Sequence, residues 1–245
     1  MHGPAASRIG STMTPTLSGI SSMATRALLA ELVAAFARDT GIQAAITAVG
    51  GVDAARRVAA GEAFDVVVLA SDAIDKLAAA GHLRAGSRVD LVRSPVAVAV
   101  PAGAPVPDIG TAAALREAVL AADSVSYSTG PSGTFLLQLF ERWGIADVLK
   151  PRLVLAPPGV PVGTLLARGE VALGFQQLSE LLALPGITVA GTLPQEAAYI
   201  TTFSAAPGLS TPHAAEVKRL LAYLNTPEAA TVKRRHGMND CRSPD

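Results

Sequence analysis

Cysteine is nearly absent. Cys241 is the one thiol in 245 residues, and it lies in the tail. A lone thiol excludes an intrachain disulfide and a cysteine metal cluster. Net charge is also missing, because 20 basic residues offset 20 acidic ones. Nucleic acid and anionic membrane surfaces select basic proteins, so neither is the expected partner. Aromatics make up only 4% of the chain, which leaves the core to small aliphatic side chains. No run is long and apolar enough to span a membrane; ALLAELVAAFA is interrupted by Glu31. The opening MHGPAASRIGSTMTPTLSG lacks a charged start followed by an apolar run, so no secretory leader is legible. The expected compartment is the cytoplasm, or the periplasm if a leader has been removed. Residues 1–13 read as a disordered lead-in. The histidines, His2, His82, His213 and His236, are scattered and have no ligand-spaced partners. Neither a metal nor a cofactor is expected. G-x-S-x-G, Walker and G-x-G-x-x-G signatures are all missing.

Half of the residues are apolar, and alanine, valine and leucine dominate. Strand signals alternate with helix signals along the chain. TLSGIS, IQAAITAV, FDVVVLAS, SVSYS, RLVLAP and VALGFQQ read as strands. ATRALLAELVAAFARDTG, GVDAARRVAA, DAIDKLAAAG, ALREAVLAA, SGTFLLQLFERWG and VGTLLARGE read as helices, several stopped by glycine. Thr226-Pro227-Glu228 is a helix start with proline at the first helical position. Such alternation predicts an α/β fold: two mostly parallel sheets with flanking helices. Two long extended runs, near 90 to 100 and 197 to 205, divide the pattern. They predict two lobes joined by two crossing strands, residues 14–93 plus 203–245 and residues 94–202, with a cleft between them.

In open α/β sheets, ligands bind off the carboxyl ends of strands, where helices begin. Free backbone N–H groups and the helix dipole favour an anion there. The turns at these places are small, hydroxylated or glycine-rich. Candidate ligand-binding residues of the first unit are Ser21, Ser22, Gly51, Val52 and Ser71. Those of the second are Ser128, Thr129, Gly130, Ser132, Gly133 and Thr134 in SYSTGPSGT, then Gly159, Val160, Gln176 and Gln177. Capping of the next helix by Ser132 or Thr134 is the plainer account of that one turn. The repetition of such turns in both units points to a polar cleft. Arg93, just before the first crossing strand, is a candidate fork for a carboxylate, with a solvated strand-end arginine as the alternative. Arg26 reads as surface, Trp143 as packing, and Asp65 as lying on the far side of the sheet. Asp72 reads as a helix cap or a cleft-edge group.

The order ISSMATRALLAELVAAFARDTG, GGVDAARRVAAGEAFDVVVLAS, VAVAVPAGAP, STGPSGTFLLQLFERWGI, ARGEVALGFQQLSEL and TLPQEAAYITTFSAA resembles the periplasmic molybdate-binding-protein family. The resemblance runs from about residue 15 to 239. It implies a type II periplasmic-binding-protein fold that closes on its ligand. Two positions depart from the family's pattern: Gly50-Gly51 stands where a serine is usual, and Gln176-Gln177 where a tyrosine is common. A larger organic anion, such as a di- or tricarboxylate, suits the remaining donors better than molybdate.

Two functions follow. The first is a solute-binding protein that holds a small anion, with a transporter as partner only if the chain is exported. The second is an isomerase of the aconitate isomerase type, which resembles the same family and shifts a double bond by proton transfer. Tyr127, Asp72 or a serine are the base candidates. A cytoplasmic anion sensor is a third reading.

Overall fold

The computed structural model describes residues 15–241. The reading of residues 1–13 as a lead-in, and His2, fall outside them. The chain opens with β1 (Thr16–Ser22), α1 (Arg26–Thr40), β2 (Gln43–Val49), α2 (Gly51–Ala59), β3 (Val66–Ala70) and α3 (Ser71–Ala79). The long β4 (Val89–Pro101) follows. Next come α4 (Ala112–Ala121), β5 (Val125–Tyr127), α5 (Pro131–Arg142), α6 (Ala146–Leu149), β6 (Leu153–Leu155), α7 (Val162–Ala167), β7 (Leu173–Gln177), α8 (Leu178–Leu181) and β8 (Ile187–Thr192). The chain returns through β9 (Ile200–Pro207) and ends with α9 (Ala214–Tyr223), α10 (Pro227–Arg235) and β10 (Asn239–Asp240).

The strand order is β2-β1-β3-β9-β4-β7-β5-β6, with β8 and β10 also on β4. Pairing is parallel among β1, β2 and β3 and among β5, β6 and β7. It is antiparallel wherever β4 or β9 takes part. The arrangement is thus mixed, with parallel arms on either side of the crossing strands. β4 belongs to both arms: Val89–Pro95 pairs with β9, and Val96–Pro101 with β7 and β8.

Strand alternation distributes the cores. Val96, Val98 and Val100 face α4 and α5, while Ala97 and Ala99 face α7 and α8. In the other arm, α1, α9 and α10 cover one sheet face, and α2 and α3 cover the opposite one. All five residues of β3 are buried, as expected for a strand covered on both faces. Gly41, at φ 75°, ends α1 in the left-handed region. Thr226 caps α10 by accepting from the Ala229 N–H. Among the described residues, no helix is long and apolar enough to cross a membrane.

Asp65 is a structural anchor on the side of the sheet away from the helix starts. It accepts from the Ser18 N–H (2.8 Å), the Ser18 hydroxyl (2.9 Å) and the Thr211 hydroxyl (2.6 Å). Burial opposes its charge, but these donors and the His213 charge outweigh burial and hold its carboxyl below the usual range.

Candidate functional site

A cavity of about 760 Å³ lies between the two arms, at the ends of their parallel strands. One wall is Ser22 at the end of β1, Gly50, Gly51 and Val52 at the start of α2, and Ala70, Asp72 and Ala73 at the start of α3. The facing wall is Ser128, Thr129, Gly130, Ser132 and Thr134 before and within the first turn of α5, then Gly159 and Val160, Gln176 and Gln177, and Glu180. Tyr199 and Phe203, on the returning chain, line it as well.

The short turn that starts at Ser22 is capped by its hydroxyl, which accepts from the Ala24 N–H at 3.4 Å, but three other helix starts on these walls share a different property. α2, α3 and α5 begin at Gly50, Ala70 and Gly130, and none has a side-chain cap. Their first N–H groups have no intrahelical acceptor and point toward the cavity with the positive ends of the dipoles. Away from these walls, α4 and α10 are capped by Thr111 and Thr226, whereas α1, α6 and α9 also lack a side-chain cap. Capping therefore does not account for the hydroxyls of SYSTGPSGT. Ser132 is buried inside the first turn, its Oγ 3.5 Å from that of Ser128. Asp72 is no cap either; it pairs with Lys76 at 3.2 Å in solvent.

Five expected residues do not line this cavity. Ser21 points to the opposite face of β1 from Ser22 and lines a smaller cavity beside α1 and β2. Ser71 leaves the wall because successive helical side chains fan by about 100°, which directs Asp72, Ala73 and Lys76 to the cavity instead. Arg93 lies on the part of β4 paired with Thr202 and Asn239, and its charge acts on Cys241. Tyr127 packs against the core of the second arm. Gly133 serves packing: a Cβ there would lie 1.8 Å from the Ser128 carbonyl oxygen. Gly51 differs, since a Cβ would meet only the Ser22 side chain, its Oγ at 3.7 Å and its Cβ at 3.8 Å. A serine would fit, so the missing side chain is a chemical difference and no packing demand.

Several wall residues went unread in the sequence. His82, which the sequence marks only as a scattered histidine, lines the cavity. Phe135 stacks on Tyr199 with ring centroids 4.4 Å apart. Burial and the Asp72 charge push the Tyr199 phenol up. Gln177 donates from Nε2 to Thr201 Oγ1 at 2.8 Å, and its buried Oε1 has no protein partner. Gln176 donates from Nε2 to Glu180 Oε2 at 2.7 Å. Burial pushes the Glu180 carboxyl up to about 7, against the opposing pulls of the Gln176 amide and the Arg26 charge. Among the described residues, no cluster of three or more histidines, cysteines or carboxylates is poised to hold a metal.

Chemically, such a cavity can neutralise several negative charges with backbone and hydroxyl donors. It can also cover apolar ligand surface and offers one carboxyl that changes ionisation near neutrality. Comparison with known proteins agrees on the family. The bacterial extracellular solute-binding protein family matches residues 17–239. An aconitate isomerase from a Pseudomonas species is 39% identical over 223 residues, covering 88% of this chain and 84% of that protein. The Azotobacter vinelandii periplasmic molybdate-binding protein has a TM-score of 0.76 at 20% identity, covering 94% of this chain and all of that one. The Mycobacterium tuberculosis sulfate-binding protein SubI has a TM-score of 0.75 at 15% identity, covering 93% and 87%. The fold is that of the periplasmic binding proteins, and the chain belongs to the bacterial extracellular solute-binding protein family.

Proposed function

We propose that this chain binds a small polycarboxylate in the cleft and isomerises it by an allylic proton shift, in the manner of an aconitate isomerase. The observation that carries the reading is the pairing, in one cavity, of uncapped helix starts with the Glu180 carboxyl, which the Gln176 amide holds at 2.7 Å and burial pushes up to about 7. Uncapped helix starts hold carboxylates without a metal. The neutral-range carboxyl suits proton transfer, for which the best pKa lies near the working pH. The cavity volume falls in the range that organic ligands occupy, roughly 300–1,000 Å³. The identity to an aconitate isomerase along most of both chains supports the reaction type.

The ligand-binding set in this reading is Ser22, Gly51, Val52, Ser128, Thr129, Gly130, Ser132, Thr134, Gly159, Val160, Gln176 and Gln177. The lobes are residues 14–93 plus 203–245 and residues 94–202, closing about β4 and the returning strand. A second reading, a solute receptor for an oxyanion or carboxylate, is favoured by the family itself and by its molybdate-binding neighbour. Localisation goes with the choice: a periplasmic receptor needs export, whereas an isomerase can work in the cytoplasm.

A thermal-shift series separates the two. Citrate, tricarballylate and trans-aconitate are expected to raise the melting temperature by mass action, and molybdate, tungstate and sulfate to leave it unchanged. Stabilisation by the oxyanions alone would refute the carboxylate reading.

A further inference from the structure

We propose that Glu180 is the proton-holding group of the cleft: it takes up a proton as an anionic ligand closes over it, and it carries the migrating proton in the isomerisation. The second half rests on the isomerase reading; the first does not.

Among the described residues, Glu180 is the one carboxylate on the second arm's side of the cavity; Asp72, the other acid on the wall, is exposed and paired with Lys76. The Glu180 carboxyl is pinned rather than loose. Gln176 donates to its Oε2, and Gln176 Oε1 in turn accepts from the Gly163 N–H at 3.4 Å, at the start of α7. α8 is also where the two arms touch. The Ser179 hydroxyl donates to the Ala24 carbonyl at 2.9 Å, and Gly237 at the end of α10 packs on Leu178 and Leu182. Closure of the arms would therefore dry the surroundings of this residue. Arg26, at the start of α1, is the charge that acts on Glu180. Arg56, Asp72, Lys76 and His82 lie on the opposite wall, and the Tyr199 phenol on the returning chain.

An anion brought into a drying cleft beside a carboxylate raises the cost of keeping both charged. Protonating Glu180 relieves it. Burial already pushes this carboxyl up to about 7. In a propene tricarboxylate, the fraction of Glu180 still ionised in the closed complex, made a stronger base by the same surroundings that favour its protonation, would accept the proton from the CH₂ carbon beside one carboxylate. The C–H electron pair becomes a new double bond to the central carbon. The old double-bond pair moves to the far carbon, its charge spreading onto the attached carboxylate, where hydroxyl and N–H donors can hold it. Protonated Glu180 then returns the proton to that far carbon. Nothing is oxidised or reduced, and the carboxyl ends as it began.

The test begins without a ligand. In the full chain labelled with nitrogen-15, the Gln176 side-chain NH₂ resonances report the ionisation of their partner. They are expected to titrate with a midpoint near neutrality, and Glu180→Gln is expected to abolish the titration. Calorimetry with tricarballylate at neutral pH, in buffers of different ionisation enthalpy, is then expected to show greater proton uptake by the wild type than by Glu180→Gln. Turnover of trans-aconitate is expected to fall about 100-fold or more in Glu180→Gln. Stabilisation by tricarballylate should be retained. Glu180→Asp, which keeps the charge but withdraws the carboxyl, serves if the glutamine variant melts too low. It is expected to titrate and still lose turnover.

A Gln176 amide that does not titrate across the neutral range overturns the proposal, whatever turnover shows. Full turnover in Glu180→Gln overturns the transfer role. A neutral-range titration in a wild type that isomerises nothing supports the proton-holding role and overturns the isomerase reading alone.

Discussion

At the scale of single residues, two glycines in similar settings have opposite meanings. Gly133 leaves no room for a side chain, because the Ser128 carbonyl occupies the Cβ position. Gly133→Ala is expected to cost about 1–3 kcal/mol by overpacking and to displace the donors of the Ser128 turn, lowering both the melting temperature and ligand affinity. Gly51→Ser has open space and should change stability by no more than about 0.5 kcal/mol. The gained hydroxyl is expected to shift preference toward tetrahedral oxyanions, read in the same thermal-shift series. Sequence alone distinguished neither glycine: both stand in small, polar turns, and only the carbonyl packed against Gly133 separates them.

Charged residues show the same limit. Glu180 sits in SELLAL, a pattern that also fits a solvated helix face. Its burial comes from chain segments far away in sequence, so its shifted carboxyl was not legible. The sign of its effect on stability follows from the shift. The folded-state value, about 7, lies above the unfolded one, so its stabilising contribution is complete below about 4.5 and is lost as pH rises through 7. Between mildly acidic and mildly alkaline pH, the wild type should lose roughly 2 kcal/mol that Glu180→Gln keeps, measured by urea unfolding across pH. Asp65 acts in the other direction. Its lowered carboxyl stabilises the protein above the ordinary aspartate range, and that contribution is lost as pH falls through its folded-state value. Asp65→Asn should therefore flatten the acid limb of the same curve.

At the scale of elements, helix and strand identities were largely readable, and their ends were readable where chemistry marks them. Gly41 at the end of α1 and Thr226 at the start of α10 behave as their residue types require. α6 and β10 are too short to leave a periodic signal. Which side chains a strand end sends into the cleft was harder to read: Ser22 enters it, and Ser21, one residue earlier, faces the other way. The parallel arms were expected; the antiparallel crossing strands depend on chain direction after long connections, which local patterns do not encode. Thr226→Ala is expected to cost about 1 kcal/mol and leave ligand affinity unchanged. Breaking the buried contact between Lys233 and Asp240, 2.9 Å apart, should cost more, about 3–5 kcal/mol for Lys233→Met. That contact ties β10, and so the end of the described chain, to α10. Both values are read from denaturant midpoints.

At the scale of the whole molecule, a cavity between two arms joined by β4 and a returning strand suits capture by closure. The resemblance seen in motif order extends along most of the chain, as the family match over residues 17–239 does. The ligand was less legible than the fold, because one architecture serves many ligands and the discriminating contacts are few. Closure should appear in solution scattering as a fall in radius of gyration when tricarballylate is added, and no fall should follow Gly133→Ala at the same concentration. The central claim is tested most directly by incubating the purified chain with trans-aconitate and following the isomers by proton NMR. The account predicts a growing cis-aconitate signal that approaches the same final ratio from either isomer. An unchanged trans-aconitate spectrum, with the protein shown to be folded and stabilised by a ligand, would contradict it and leave a receptor in its place.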